Sequence, residues 1–163
     1  MSALGLTIDY GPFSMMDGYD LDFTPNTTDL PGKRYAFGKQ GQISHWNLAT
    51  LANVVFPLIN DSEALEKILQ DYGQKFWLEH DKMLACKFGL DEVLTDDDRF
   101  FTVWQQLMQD LNLDYTLFFQ RLEKPLSEIQ VDDFSNLSYR TLNGNELHRI
   151  SDFIEKYKVR KLK

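Results

Sequence analysis

The stretch Thr95-Asp96-Asp97-Asp98-Arg99-Phe100-Phe101-Thr102-Val103-Trp104-Gln105-Gln106-Leu107-Met108-Gln109-Asp110-Leu111 decides the fold class. Phe100, Phe101, Trp104, Leu107, Met108 and Leu111 recur at the helical spacing of three and four, so one face is apolar and the other polar. Thr95 with Asp98 predicts its N-terminal cap. The same period runs through the rest of 44–163. Ser44 predicts the start of a helix with Leu48, Leu51, Ala52, Val55, Leu58 and Ile59 on one face. Asn60 with Glu63 reads as a capping box for the next, whose stripe is Leu65, Ile68, Leu69, Tyr72, Phe76 and Met83, with Gly89 as its stop. A short helix is expected over Tyr115 to Leu122, and a last one from about Glu146 with Leu147, Ile150, Phe153, Ile154 and Tyr157 inward. Residues 126–143 read as a connector with turns.

Residues 1–43 differ. They are rich in Gly, Pro, Asp, Thr and aromatic residues and show no helical period. Leu4, Leu6, Ile8 and Tyr10 alternate with smaller or polar neighbours, which predicts a short strand ended by Gly11-Pro12. A long loop with Asp17, Asp20, Asp22 and Asp29 follows, and its Tyr19, Phe23, Tyr35 and Phe37 favour order. The reading is therefore mainly α, with a small β element at the N-terminal edge. The strand has no hairpin partner, and its partners are expected upstream of Met1.

Composition narrows the function classes. Hydrophobic residues make up 43% of the 163, which is a globular composition. No apolar run is long enough for a membrane span and no signal peptide opens the chain, so a cytoplasmic protein without a membrane partner is expected. The net charge of −8 argues against nonspecific nucleic-acid binding, which needs a basic footprint. Lys156, Lys158, Arg160, Lys161 and Lys163 are read as a solvated helix end that complements the helix dipole. The single cysteine, Cys86, excludes a disulfide framework and a cysteine-based zinc site, and its neighbours Leu84 and Ala85 predict a buried, inert thiol.

Three constellations could carry chemistry. Asp9 stands at the end of the predicted strand in Thr7-Ile8-Asp9-Tyr10-Gly11. A strand that fixes a carboxylate, followed by a glycine that lets the backbone turn away, suits a hard cation held against nucleotide phosphates. The same tripeptide also serves as an ordinary strand-ending turn. The four loop aspartates do not fit the calcium-loop spacing and read as solvated carboxylates or Asx turns. His45, His80 and His148 are scattered, with no zinc or nucleophile motif, and read as structural or exposed.

Blocks of the sequence are together more specific than any one motif. Residues 1–13, Met16-Asp17-Gly18-Tyr19-Asp20, Lys33-Arg34-Tyr35-Ala36-Phe37 with Gln40, and Trp46-Asn47-Leu48-Ala49-Thr50-Leu51-Ala52 resemble, in order, blocks of the SelO (YdiU) family of kinase-like protein adenylyltransferases. Met83 to Leu90 and Asp114 to Phe119 are similar to later blocks, so the resemblance spans about residues 1–122. It implies a fold corresponding to the helical C-lobe portion of a protein kinase, with 1–43 holding the metal-binding strand and an activation-segment-like loop and 44–163 the helical region.

The resemblance also implies the chemistry: ATP as cofactor, Mg²⁺ or Mn²⁺ held by Asp9, and AMP passed to Ser, Thr or Tyr hydroxyls of protein substrates. Asp9 is the one residue of the machinery that carries over, as metal ligand and nucleotide-site residue. No catalytic residue falls in the chain, because the family's catalytic base, second metal-binding asparagine and glycine-rich loop belong upstream. A fragment inactive by itself is the expectation. Ser14, Lys33 and Gly41 depart from the family pattern in the activation-segment region, which bears on substrate preference. Two other readings stay open: a non-catalytic helical interaction module from a truncated gene, and a phosphoryl-transferring kinase.

Overall fold

The computed structural model describes residues 16–24 and 30–163. The described residues are mainly helical. In chain order the elements are α1 (Gln40–Ile59), α2 (Ser62–Lys87), α3 (Asp97–Leu111), α4 (Tyr115–Arg121), α5 (Asp132–Ser135) and α6 (Gly144–Lys161), with 3₁₀ turns at Phe37–Lys39 and Leu126–Glu128. Extended pairing among the described residues is limited to two antiparallel bridges, Gly18 with Asp114 and Leu113 with Ser138. The strand expected around Leu4 to Tyr10 lies outside the described residues. The chain forms two compact units, one including Leu21–His80 and the other Met16–Asp20 with Asp81–Lys163.

The second unit holds the core. Its centre is Phe88, just past the end of α2, whose ring meets Phe101 and Trp104 of α3, Phe119 of α4, and Phe153 and Tyr157 of α6. The Tyr157 hydroxyl donates to the Phe88 carbonyl at 3.0 Å, so the buried phenol keeps a partner. Burial raises the pKa of that phenol. Phe101, Trp104, Leu107, Met108 and Leu111 are buried, and Phe100 at the edge is half-buried, so the inward face of α3 lies where its spacing placed it. Ile150, Phe153, Ile154 and Tyr157 of α6 are buried as their period predicts.

The connector makes a larger contribution than its turn-like sequence predicts. Ile129, Phe134 and Leu137 are all buried. Their spacing follows no single period because Ile129 ends the 3₁₀ turn, Phe134 lies on the one-turn α5 and Leu137 in the turn that follows it.

The helix starts also differ from expectation. α1 begins at Gln40 rather than Ser44, because the 3₁₀ turn runs straight into it and the Gln40 side-chain amide donates back to the carbonyl of Tyr35 at 2.7 Å. α2 is capped by Asp61, whose Oδ1 accepts from Ala64 N at 3.0 Å. Asn60 instead closes α1 in the left-handed conformation, φ 52°. α3 is preceded by Asp96, which makes no side-chain cap, and Asp97 accepts from Leu94 N at 2.8 Å in place of a Thr95 cap. Gly89 stops α2 as predicted, with φ +65°.

In the first unit, the stripe of α1 is at best half-buried: no residue of the helix is buried, and Leu58 is 87% exposed. Ile68 of α2 is exposed as well. His45 Nε2 lies 3.2 Å from the Leu69 carbonyl and its ring stacks on Tyr72, so this histidine joins α1 to α2. Gly41 has a packing reason: a Cβ there would come within 2.6 Å of the Phe76 ring.

Candidate functional site

Asp9 and Asp29 lie outside the described residues, and the geometry begins with the segment that follows Asp9. Met16–Asp20 belongs to the helical unit. Tyr19 is 2% exposed, and its ring stacks on Tyr115 and tilts against Trp104, with centroids 5.7 and 5.5 Å away. Its backbone is tied as well. Tyr19 N donates to the Leu113 carbonyl at 2.8 Å, and Tyr115 N donates to the Asp17 carbonyl at 3.2 Å. Burial pushes the Tyr19 phenol up to about 12, with its Gln105 hydrogen bond pulling the other way, so it stays protonated at neutral pH.

Gly18 sits where no side chain fits. A Cβ there would lie 2.2 Å from Asn112 Oδ1 and 3.2 Å from the Tyr139 ring. Asn112 is itself fixed, because it closes α3 with φ 48° and its carbonyl accepts from Tyr139 N. The Tyr139 hydroxyl donates to Asp114 Oδ2 at 2.7 Å, while Asp114 Oδ1 caps α4 by accepting from Leu117 N at 2.7 Å. The hydrogen bond to Asp114, with the nearby charges of Asp114 and Asp17, pushes the Tyr139 phenol up to about 12. Asp20 accepts from Gln109 Nε2 at 3.1 Å.

In the other unit, the loop leading to α1 is held by Gly38 N on the Leu21 carbonyl and Phe37 N on the Phe23 carbonyl, at 2.8 and 2.9 Å. Lys33 adopts φ 43° and pairs with Asp22 at 3.5 Å. The Arg34 guanidinium lies 3.7 Å from the centroid of the Trp46 ring, a cation–π contact. So Asp17 and Asp20 fall in one unit and Asp22 in the other. Among the described residues no three His, Cys, Asp or Glu side chains are grouped as a metal site.

Two expectations need correction. Cys86 is exposed, not buried, because one residue of helix turns the side chain about 100° away from buried Leu84 and Ala85. The basic tail is only partly solvated: Arg160 donates from Nε and Nη2 to the buried carboxylate of Asp97 at 2.6 and 2.8 Å. The reading of the sequence named Gly18 and Asp114 only within family-like blocks and did not foresee the close approach at Gly18 or the caps made by Asn112 and Asp114. An Asn at the end of a helical period and an Asp before Tyr115 are the cap signals that could have found the last two.

Comparison with known proteins places this geometry in a family. The model of the family described as "Protein adenylyltransferase SelO" matches residues 1–162. A protein of Flavobacterium johnsoniae named "Protein nucleotidyltransferase YdiU" is 42% identical over 139 residues, covering 80% of this chain. Proteins of the same name from Cytophaga hutchinsonii and Nitrosospira multiformis are 43% and 46% identical, over 75% and 79% of the chain. The chain spans about a quarter of the length of these relatives, namely 27%, 24% and 23%. With the matched region running through Asp9-Tyr10-Gly11, the Asp17–Tyr19 segment and all six helices, the chain belongs to the SelO family of protein adenylyltransferases.

Proposed function

We propose that this chain is a section of a kinase-like protein adenylyltransferase that passes AMP from ATP to Ser, Thr or Tyr hydroxyls of cytoplasmic proteins. The observation that carries the reading is the family match over residues 1–162, which includes the Asp-Tyr-Gly motif. Asp9 is the residue assigned to the metal. A carboxylate oxygen suits Mg²⁺ or Mn²⁺, and one carboxylate from this chain leaves the other positions to phosphate oxygens, water and residues supplied from elsewhere. The metal, when bound, neutralises charge on the phosphates of ATP. No helix among the described residues is long and apolar enough to cross a membrane.

The chemistry joins a substrate hydroxyl oxygen to the α-phosphorus and breaks its bond to the bridging oxygen, so pyrophosphate leaves. The chain contributes the metal-side carboxylate and the helical platform. A base must also take the hydroxyl proton, and we expect no transfer from a chain that spans about a quarter of its relatives' length.

The test uses ATP labelled at the α or the γ phosphate, with Mg²⁺ or Mn²⁺, on the full-length protein and on this chain. Protein-bound α label from the full-length protein alone is expected. γ label would make the protein a kinase, and no label from the full-length protein would remove the transferase reading. Asp9→Ala in the full-length protein is expected to abolish α-label transfer, a loss of several kcal/mol of charge stabilisation. Undiminished transfer would sink the assignment.

A further inference from the structure

The basic end of α6 does more than meet solvent. Phe100 and Val103 stand three apart on α3, and Lys156, Val159 and Lys163 follow one another at three and four, so each set shares one face. Lys163 keeps that face past the end of α6, because its N–H donates to the Arg160 carbonyl at 3.2 Å. Between the two faces lies a cleft of about 430 Å³, lined by residues within 96–103 and 155–163 and in the range of small-molecule sites.

One wall of the cleft is apolar and fixed from behind. The Phe100 ring stacks on Phe153 and meets Phe88 edge-on, with centroids 5.3 and 5.0 Å away, while Val103 and the exposed Val159 continue the apolar lining. The charged lining divides by its partners. Arg160 is committed to Asp97, and Glu155 pairs with Lys158 at 3.5 Å. Arg99, Lys156 and Lys163 form no ion pair among the described residues, and Lys163 reaches Asp97 only through its field. Asp96 is the one lining carboxylate likewise unpaired among the described residues. Three cations against one carboxylate make the cleft basic on a chain of net charge −8, so it attracts anions that the rest of the surface repels.

Exposed lysines alone say nothing about a ligand. Here they rim a wall that loses water when an apolar body covers it, and they can give charge-assisted hydrogen bonds to an anionic head. A neutral apolar ligand would leave the cations unused, and a small polar anion would leave the wall wet. We propose that the α3–α6 cleft binds a small amphiphilic anion, an apolar chain or ring that carries one carboxylate or phosphate. Its body lies on Phe100, Val103 and Val159, and its head meets Arg99, Lys156 and Lys163. The site stands whether or not the full-length protein transfers AMP.

The experiment titrates the full-length protein in a calorimeter with octanoate, octyl phosphate and 1-octanol. Saturable binding of one octanoate or octyl phosphate per chain is expected, tighter than octanol by about tenfold or more, the scale of a charge-assisted hydrogen bond. Arg99→Gln with Lys156→Gln should weaken the anions about tenfold and leave octanol unchanged. Val159→Asp should abolish binding of all three, and if it does not fold, the Arg99→Gln, Lys156→Gln variant decides alone. A preference for octanoate or for octyl phosphate identifies the head and supports the site either way. Three results overturn it: no saturable binding, as when the protein's own residues fill the cleft; octanol bound as tightly as the anions; or anion binding that the charge variant leaves unchanged.

Discussion

At the scale of single residues, the pair Asp97–Arg160 shows how one side chain escapes a pattern. Asp97 stands among three consecutive aspartates before an apolar stripe, yet it is 1% exposed and accepts from Arg160 and from Leu94 N. Burial pushes its carboxyl up, but the Arg160 hydrogen bonds, the Leu94 N–H and the Arg160 charge together outweigh that and hold it below the usual carboxylate range. Arg160 also reaches the Glu92 carbonyl at 2.6 Å, so it ties the end of α6 to the loop before α3. Removing one partner leaves a buried charge uncompensated. Arg160→Ala is therefore expected to cost about 3 kcal/mol in urea denaturation. The sign of the pH effect follows from the lowered pKa. Around pH 4 the unfolded chain binds the proton that folded Asp97 refuses, so this contribution is present above the unfolded value and lost as pH falls through the folded one. Asp97→Asn should flatten that acid limb; an unchanged limb would show that the pair is not linked to folding.

At the scale of elements, α6 is set by its own sequence and by a neighbour. Asn143 Oδ1 accepts from Asn145 N and Glu146 N, at 3.0 and 3.1 Å, and the Glu146 carboxylate accepts from Asn143 N at 2.8 Å. This capping box satisfies donors that the first helical turn leaves open. Arg140 hydrogen-bonds the same carboxylate and, with the Asn143 N–H, holds it at about 2, so Glu146 is ionised at neutral pH. Asn143→Ala should lower stability by about 1 kcal/mol, read as a fall in thermal midpoint. A variant with an unchanged midpoint would show that α6 is held by packing alone. The inward faces of α3 and α6 were legible in advance because a strict 3.6-residue period admits one solution once a face is buried. The start of α1 was not, because a 3₁₀ turn leads into it with no side-chain cap, nor were those of α2 and α3, where several of Ser, Thr, Asn and Asp stood near the boundary. Which one caps depends on the backbone path into the helix.

At the scale of the whole molecule, burial is uneven. The second unit buries Phe88, Trp104, Phe118, Phe134 and Tyr157, whereas α1 and α2 leave Trp46, Val54, Phe56, Leu58, Ile59 and Ile68 exposed. Apolar surface of that extent in an isolated chain favours association. The 163-residue chain is expected to bind a hydrophobic dye and to elute as concentration-dependent oligomers in size-exclusion chromatography. A clean monomer that leaves the dye dark would show that these faces find cover within the chain. Composition, helical period and the Asp-Tyr-Gly, Met-Asp-Gly-Tyr-Asp and Trp-Asn-Leu-Ala blocks were enough by themselves to establish a mainly helical chain and its family, because period and motif are local properties of sequence. Only the tertiary structure decided that Tyr19 is a buried anchor, that Gly18 is closed in by Asn112, that Asp97 pairs with Arg160 and that Cys86 faces solvent. Each depends on contacts between residues far apart in the chain or on the rotation of a helix against its neighbours, and neither is encoded at any one position.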